Sequence, residues 1–118
     1  MKKIILLTGF EPFNQETINP SWEAVRALEG WHEGDFVVHA RQLPCVFGQA
    51  RKAMHQASEW GTTMRAGFIH IPYLPQQAAR HPGTASMRLD DMVEGLRIAI
   101  RTTLAHTVDV REAGGVTH

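Results

Sequence analysis

The chain has few of the features that mark several common classes of protein. Only Cys45 among its 118 residues is a cysteine, so no internal disulfide can form, and we expect a reducing compartment, the cytoplasm. Twelve basic and twelve acidic residues cancel, and no basic cluster exceeds Arg51-Lys52, which argues against nucleic acid or a membrane surface as partner. The apolar run from Ile4 to Leu7 is too short for an export signal or a membrane span.

Motifs for metals and nucleotides are also missing from the sequence. The seven histidines include no His-x-x-x-His pair, and the single cysteine rules out a Cys-x-x-Cys pair, so no metal site is predicted. Neither of the two common glycine-rich phosphate-binding loops follows an apolar strand pattern. We therefore predict no cofactor.

Alternating strand and helix patterns predict an α/β fold with a mostly parallel sheet and flanking helices, built as a single domain over residues 1–118. The short continuous apolar run at residues 3–8 is typical of a strand buried on both faces. The predicted elements are, in order, a strand at 3–8, a helix at 20–29, a strand at Phe36–Leu43, a helix at 49–60, a strand at 66–71, and an amphipathic helix through Leu89, Met92, Val93, Leu96, Ala99, Ile100 and Leu104.

Capping and turn residues set the expected ends of these elements. Asn19 is a good N-cap for the first helix, and Gly30 is a plausible stop. Ser86 could cap the last helix. The sequence His81-Pro82-Gly83 predicts a turn, and residues 109–118 are expected to be loosely ordered.

Candidate catalytic and ligand-binding residues follow three of the predicted strands, at the sheet edge where ligands of open α/β proteins bind. From spacing alone, Phe10 and Phe13 are more simply explained as packing beneath the next helix. His70, between two isoleucines, would more often be structural. Cys45 lies just before a predicted helix, where the helix dipole could lower the pKa of its thiol, so from the residues alone Cys45 and His70 are a candidate catalytic dyad.

Two separate stretches resemble the pyroglutamyl-peptidase I (pyrrolidone-carboxylate peptidase) family, cytosolic cysteine peptidases that remove N-terminal pyroglutamate from peptides. The first stretch runs from Met1 to about Ala50 and the second from Arg65 to the end of the chain. The motifs that carry the resemblance are Thr8-Gly9-Phe10-Glu11-Pro12-Phe13, Arg41-Gln42-Leu43-Pro44-Cys45-Val46-Phe47-Gly48, Gly67-Phe68-Ile69-His70, Pro72-Tyr73-Leu74-Pro75, His81-Pro82-Gly83, Ser86-Met87 and Gly114-Gly115-Val116-Thr117-His118.

The resemblance implies a role for each candidate residue. His70 matches the family's catalytic histidine, Phe10 and Phe13 match pocket phenylalanines that contact the substrate, and Cys45 matches a residue of the pocket wall. The implied partner is a peptide with an N-terminal pyroglutamate. The middle part of the family's usual chain, with its catalytic glutamate, glycine-rich loop and nucleophilic cysteine, has no counterpart here. The seam, which is the point where the two retained parts of the family sequence join, is predicted near residues 50–54.

Three functional hypotheses follow from this resemblance. The first is a shortened peptidase that is inactive or impaired, with an incomplete version of the family's α/β/α sandwich. The second is a protein that binds pyroglutamate or another partner without catalysis, and the third is recruitment of Cys45 as a nucleophile. Loss of central strands would leave open edges and apolar faces, so either marginal stability or self-association, including a homo-oligomer, is expected.

Overall fold

The fold is a three-stranded sheet with helices packed beside it. The structure is a computed structural model that describes residues 3–12, 16–44 and 65–106. Its elements, in chain order, are β1 (Lys3–Phe10), α1 (Pro20–Arg26), β2 (His32–Glu33), β3 (Phe36–Leu43), α2 (Pro75–Ala78) and α3 (Leu89–Ala105). The strand order is β1-β3-β2. The predicted α/β class with flanking helices is confirmed.

The sheet is mixed, and its long pairing is parallel. β1 runs parallel to β3 over eight residue pairs, whereas β2 pairs antiparallel with β3. β2 and β3 form a tight hairpin in which Gly34 has a φ of 52°, a left-handed conformation that glycine adopts without strain. β2 has only two residues, which is too short for a period-two pattern to reveal in the sequence.

The core lies on one face of the sheet. The register pairs Ile5 with Val38 and Leu7 with Ala40, so these four side chains share that face. Both α1 and α3 pack against it, and the buried cluster consists of Ala24, Leu28, Phe36, Val38, Leu74, Met92, Val93, Leu96 and Ile100.

On the other face of β1, Ile4 is 69% exposed and Leu6 is 58% exposed. The prediction that this strand is buried on both faces is therefore wrong, because both long helices of the described chain cover the same side.

The first helix begins where the sequence predicts and ends earlier. Asn19 is its N-cap, with Oδ1 accepting from the Ser21 N–H at 2.9 Å, which confirms the predicted cap. α1 stops at Arg26 instead of continuing to residue 29. The next residues tighten into turns in which the Leu28 N–H donates to the Val25 carbonyl, and Gly30 follows with a φ of 80°.

The predicted amphipathic helix is present as α3, with its apolar stripe in the core. Its N-cap is Arg88, which makes no side-chain capping bond, so the predicted cap at Ser86 is wrong. Ser86 instead forms an isolated parallel bridge with Tyr73. Asp90 and Asp91 in the first turn complement the helix dipole.

The predicted strand at residues 66–71 does not form. This segment is irregular, and Phe68 and Ile69 are 63% and 58% exposed. An apolar run needs a neighbouring strand to become part of a sheet, and within the described residues β1 pairs only with β3. The predicted helix at 49–60 and the tail at 109–118 lie outside the described residues.

The segment after residue 72 is more ordered than its Pro and Gly content suggests. It contains the one-turn helix α2, which the sequence analysis did not predict. The predicted turn at His81-Pro82-Gly83 is confirmed, since Gly83 has a φ of 85° and the Thr84 N–H donates to the His81 carbonyl. Within the described chain, no helix combines the length and apolarity that crossing a bilayer requires.

Candidate functional site

The end of β1 is fixed to the start of α1 by a small hydrogen-bond network. The Phe10 N–H donates to Ser21 Oγ at 2.9 Å, and Ser21 Oγ donates to Asn19 Oδ1 at 2.8 Å. Asn19 Nδ2 in turn donates to the Glu11 carbonyl at 3.1 Å, and Asn19 is only 7% exposed. One buried asparagine therefore caps the helix and holds the strand tip in place.

Gly9 lets the strand and the helix approach at this point. A Cβ atom built on Gly9 would lie 2.7 Å from the carbonyl oxygen of Ser21 and 2.8 Å from the Cα of Trp22. Both neighbours are backbone atoms that cannot rotate away. The motif Thr8-Gly9-Phe10 thus needs a glycine because of this close packing.

Of the four predicted site residues, the structure describes two. Phe10 is the last residue of β1, half-buried, with its backbone fixed by Ser21. Phe13 and Cys45 lie outside the described residues, so their predicted roles in a pocket stay predictions.

His70 lies in the irregular segment before α2 and is exposed. No side chain or backbone group of the described residues forms a hydrogen bond or ion pair with its ring. A histidine that acts as a general base is normally oriented by a third group through its second ring nitrogen. In the described part of the chain His70 has no such orienting partner, and its catalytic role stays a prediction.

A buried polar network connects the loop before α1 to the segment that follows His70. Gln77, at 1% exposure, donates from Nε2 to Glu16 Oε1 at 2.9 Å and to the Ile18 carbonyl at 3.1 Å. Its Oε1 accepts from the Leu74 N–H at 3.1 Å. The sequence analysis missed this link because Glu16 and Gln77 are 61 residues apart and share no motif.

Glu16 also carries the charge of this network. Arg80 donates to its Oε1 at 3.0 Å, and His81 Nε2 lies 3.6 Å from its Oε2. Partial burial alone would raise the pKa of Glu16, but hydrogen bonds from Gln77 and Arg80 and the positive charge of Arg80 together bring its pKa below the ordinary 4.5. His81 also stacks on Tyr73, with ring centroids 4.8 Å apart. The carboxylate therefore fixes the 16–19 loop against α2 and its following turn.

Metal binding finds no support in the part of the chain that the structure describes. It contains no cluster of three or more His, Cys, Asp or Glu side chains that could hold an ion. A shallow recess of about 320 Å³ lies between Phe36 and the C-terminal end of α3, where Arg101 and Glu33 pair at 2.7 Å. It includes none of the predicted site residues.

Comparison with known proteins identifies relatives for almost the whole chain. A family profile described as Pyroglutamyl peptidase matches residues 2–60 and also residues 51–106. The pyrrolidone-carboxylate peptidase of Cupriavidus pinatubonensis is 37% identical over 215 aligned positions that take in 98% of this chain and 100% of the relative. The pyrrolidone-carboxylate peptidase of Cupriavidus taiwanensis is 34% identical over 213 positions, covering 97% and 99%.

Solved structures include the pyroglutamyl peptidase I of Bacillus amyloliquefaciens, which is 45% identical over the matched part. The match covers 51% of this chain and 29% of that one, with a TM-score of 0.41.

Proposed function

The chain belongs to the pyroglutamyl peptidase family of cysteine peptidases, and we propose that it is a shortened member with negligible hydrolysis of pyroglutamyl peptides. One observation carries the proposal. The alignment with the Cupriavidus pinatubonensis relative extends over 215 positions, whereas this chain has 118 residues, so at least 97 positions (215 less 118) have no residue here. A loss of that size removes much more than a surface loop.

The loss is proposed to be internal, with a seam near residues 50–54 inside a single domain over 1–118. Two parts of the family profile match this chain, and both matches include residues 51–60. Such an overlap is expected if two helices of the parent fold were joined into one segment. The seam itself lies outside the described residues.

The missing positions bear directly on catalysis. The family resemblance puts the nucleophilic cysteine, the catalytic glutamate and the glycine-rich loop in the absent block. A cysteine peptidase needs a thiolate, a histidine within hydrogen-bond reach of it and a group that orients the histidine. His70 is the single family catalytic residue retained, and its exposed ring without an orienting partner among the described residues is consistent with an inactive site.

The substrate class proposed for any remaining binding is a peptide with an N-terminal pyroglutamate. Pyroglutamate is a small uncharged lactam, which suits aromatic walls and a few hydrogen bonds better than charged side chains. Phe10, Phe13 and Cys45 are the proposed pocket residues. The proposed setting is the cytoplasm, in keeping with the family and with a single cysteine.

An activity assay tests the proposal. The purified, mass-verified 118-residue protein is incubated with a fluorogenic pyroglutamyl amide, with and without iodoacetamide, and an active full-length relative serves as positive control. We expect no release above that of the His70→Ala variant. Turnover that iodoacetamide abolishes and that Cys45→Ala and His70→Ala both remove would overturn the proposal and make Cys45 a recruited nucleophile.

The second candidate function is binding of pyroglutamate without turnover. The fixed geometry of the β1 tip favours it, because Gly9, Ser21 and Asn19 hold the backbone of Phe10 without help from the missing block. Saturable binding of free pyroglutamate, measured by NMR titration, should weaken in Phe10→Ala and persist in Ile98→Ala, which changes an exposed apolar residue on α3. Equal binding by both variants would exclude a pocket at the β1 tip.

A further inference from the structure

The described sheet has two edge strands, the two-residue β2 and the eight-residue β1. On the β2 side, Glu33 pairs with Phe36, the Val38 N–H donates to the Trp31 carbonyl at 2.8 Å, and the Ala40 N–H donates to Glu29 Oε2 at 2.8 Å. On the other side, β1 has no strand neighbour among the described residues except β3. The long open edge of the described sheet therefore belongs to β1.

The hydrogen bonds already made by β1 show which of its backbone groups face outward. The N–H groups of Lys3 and Glu11 donate to carbonyls of Asp35 and Leu43, on the β3 side. Backbone groups alternate in direction along a strand, so those of Ile4, Leu6 and Thr8 point away from β3. The backbone N–H of Phe10 also points away from β3, but it already donates a hydrogen bond to Ser21 Oγ. The available edge thus runs from Ile4 to Thr8.

Among the residues that the structure describes, nothing gives this edge the usual protection against pairing. Natural edge strands are short, charged, bulged or interrupted by proline. β1 has eight residues, its only charged residue is Lys3 at one end, and it contains no proline. The side chains of Ile4 and Leu6, on the uncovered face, are 69% and 58% exposed.

We propose that a second copy of this chain pairs with the open edge, β1 against β1 in antiparallel orientation, about a two-fold axis at Leu6. In this register Leu6 faces Leu6 of the second copy, and Ile4 faces Thr8 in both directions. Each of these pairs exchanges two backbone hydrogen bonds. The product is one continuous sheet with the order β2-β3-β1-β1-β3-β2.

Two features favour a second copy over an unrelated chain. The outward-facing residues Ile4, Leu6 and Thr8 are evenly spaced about Leu6, so the edge is complementary to itself when rotated by 180°. The chain also has a formal net charge of zero, so identical copies do not repel each other. The inference does not depend on whether the protein hydrolyses or binds pyroglutamate.

Sedimentation equilibrium over a range of concentrations tests the pairing. The wild-type chain should approach twice the 13.2 kDa mass of one copy as its concentration rises. Leu6→Lys puts two like charges opposite each other on the axis and should weaken dimerisation by roughly tenfold or more. Ile98→Lys makes the same change at a residue 53% exposed on α3 and should dimerise like the wild type.

Mixing variants tests the register. Leu6→Lys and Leu6→Glu, each monomeric alone, should form a mixed dimer when combined, because Leu6 lies opposite itself. A wild-type chain that stays monomeric overturns the proposal and leaves the edge to another occupant or to none. A dimer that Leu6→Lys does not weaken also overturns it. If circular dichroism shows that Leu6→Lys is unfolded, Ile4→Lys replaces it, at a still more exposed site on the same edge.

Discussion

At the scale of single residues, Gly9 is the glycine among the described residues where an added methyl group would meet other atoms at close range. Its Cβ would meet the Ser21 carbonyl at 2.7 Å, so we expect Gly9→Ala to lower the free energy of unfolding by about 1–3 kcal/mol. Urea denaturation followed by circular dichroism measures this loss.

Gly95→Ala provides the matched control for this prediction. Gly95 lies inside α3, where an added Cβ meets nothing within 4 Å, so alanine should raise the free energy of unfolding by about 0.5–1 kcal/mol through helix propensity. Equal urea midpoints for Gly9→Ala and the wild type would show that β1 and α1 are not in close contact at this point.

Single residues also show how far the sequence predicts the site. The Asn19 cap was predictable because a capping side chain acts on a backbone N–H two residues away. Its further role in holding the Glu11 carbonyl, and through Ser21 the Phe10 N–H, was not, because these bonds depend on how the β1 tip folds back. The sequence near Asn19 is therefore enough to predict the helix cap, whereas the hydrogen bonds that fix the β1 tip follow from tertiary packing.

At the scale of elements, the Glu16 network predicts how stability depends on pH. The folded-state pKa of Glu16 lies below its ordinary value of 4.5. The ionised carboxylate therefore makes its full contribution to the stability of the fold at pH values above 4.5. This contribution is lost as the pH falls below 4.5 towards the folded value. Glu33 follows the same direction, because a hydrogen bond and charge from Arg101 lower its pKa.

The measurement compares urea midpoints at neutral pH and below pH 4.5. Glu16→Gln should have a lower midpoint than the wild type at neutral pH and a smaller further fall on acidification. Asp35→Asn removes an exposed carboxyl from the β2–β3 turn and should retain the wild-type fall. If Glu16→Gln loses as much stability on acidification as the wild type, the network does not connect the two segments in solution.

The predicted and observed elements differ where a sequence pattern depends on a neighbour. The predictions of β3 and α3 agree with the structure because both patterns have a packing partner. β3 pairs with β1 along its whole length, and the apolar stripe of α3 packs in the core. Residues 66–71 have an equally apolar pattern, yet they form no strand and expose Phe68 and Ile69. An apolar strand-like sequence therefore forms a strand only where the edge of a sheet is positioned to pair with it.

At the scale of the whole molecule, one loss accounts for two properties that otherwise look unrelated. The 97 or more positions absent from this chain are proposed to have supplied the nucleophile and the acid, and a block of that size is also long enough to supply several strands and helices. Its removal would leave both an incomplete site and an uncovered sheet. An inactive monomer with an open edge and a dimer closed through that edge are then alternative outcomes of the same deletion.

Amide hydrogen exchange distinguishes those outcomes residue by residue. In a dilute monomer, the amides of Ile5 and Leu7, which face β3, should exchange slowly, while those of Ile4, Leu6 and Thr8 should exchange fast. As the concentration rises, pairing at the edge should slow exchange at these three amides and leave the Phe10 amide, already bound to Ser21, unchanged. The Leu6→Lys variant should keep the alternating pattern at every concentration. Concentration-dependent protection confined to α3 would instead place the contact between copies on the helical side of the sheet.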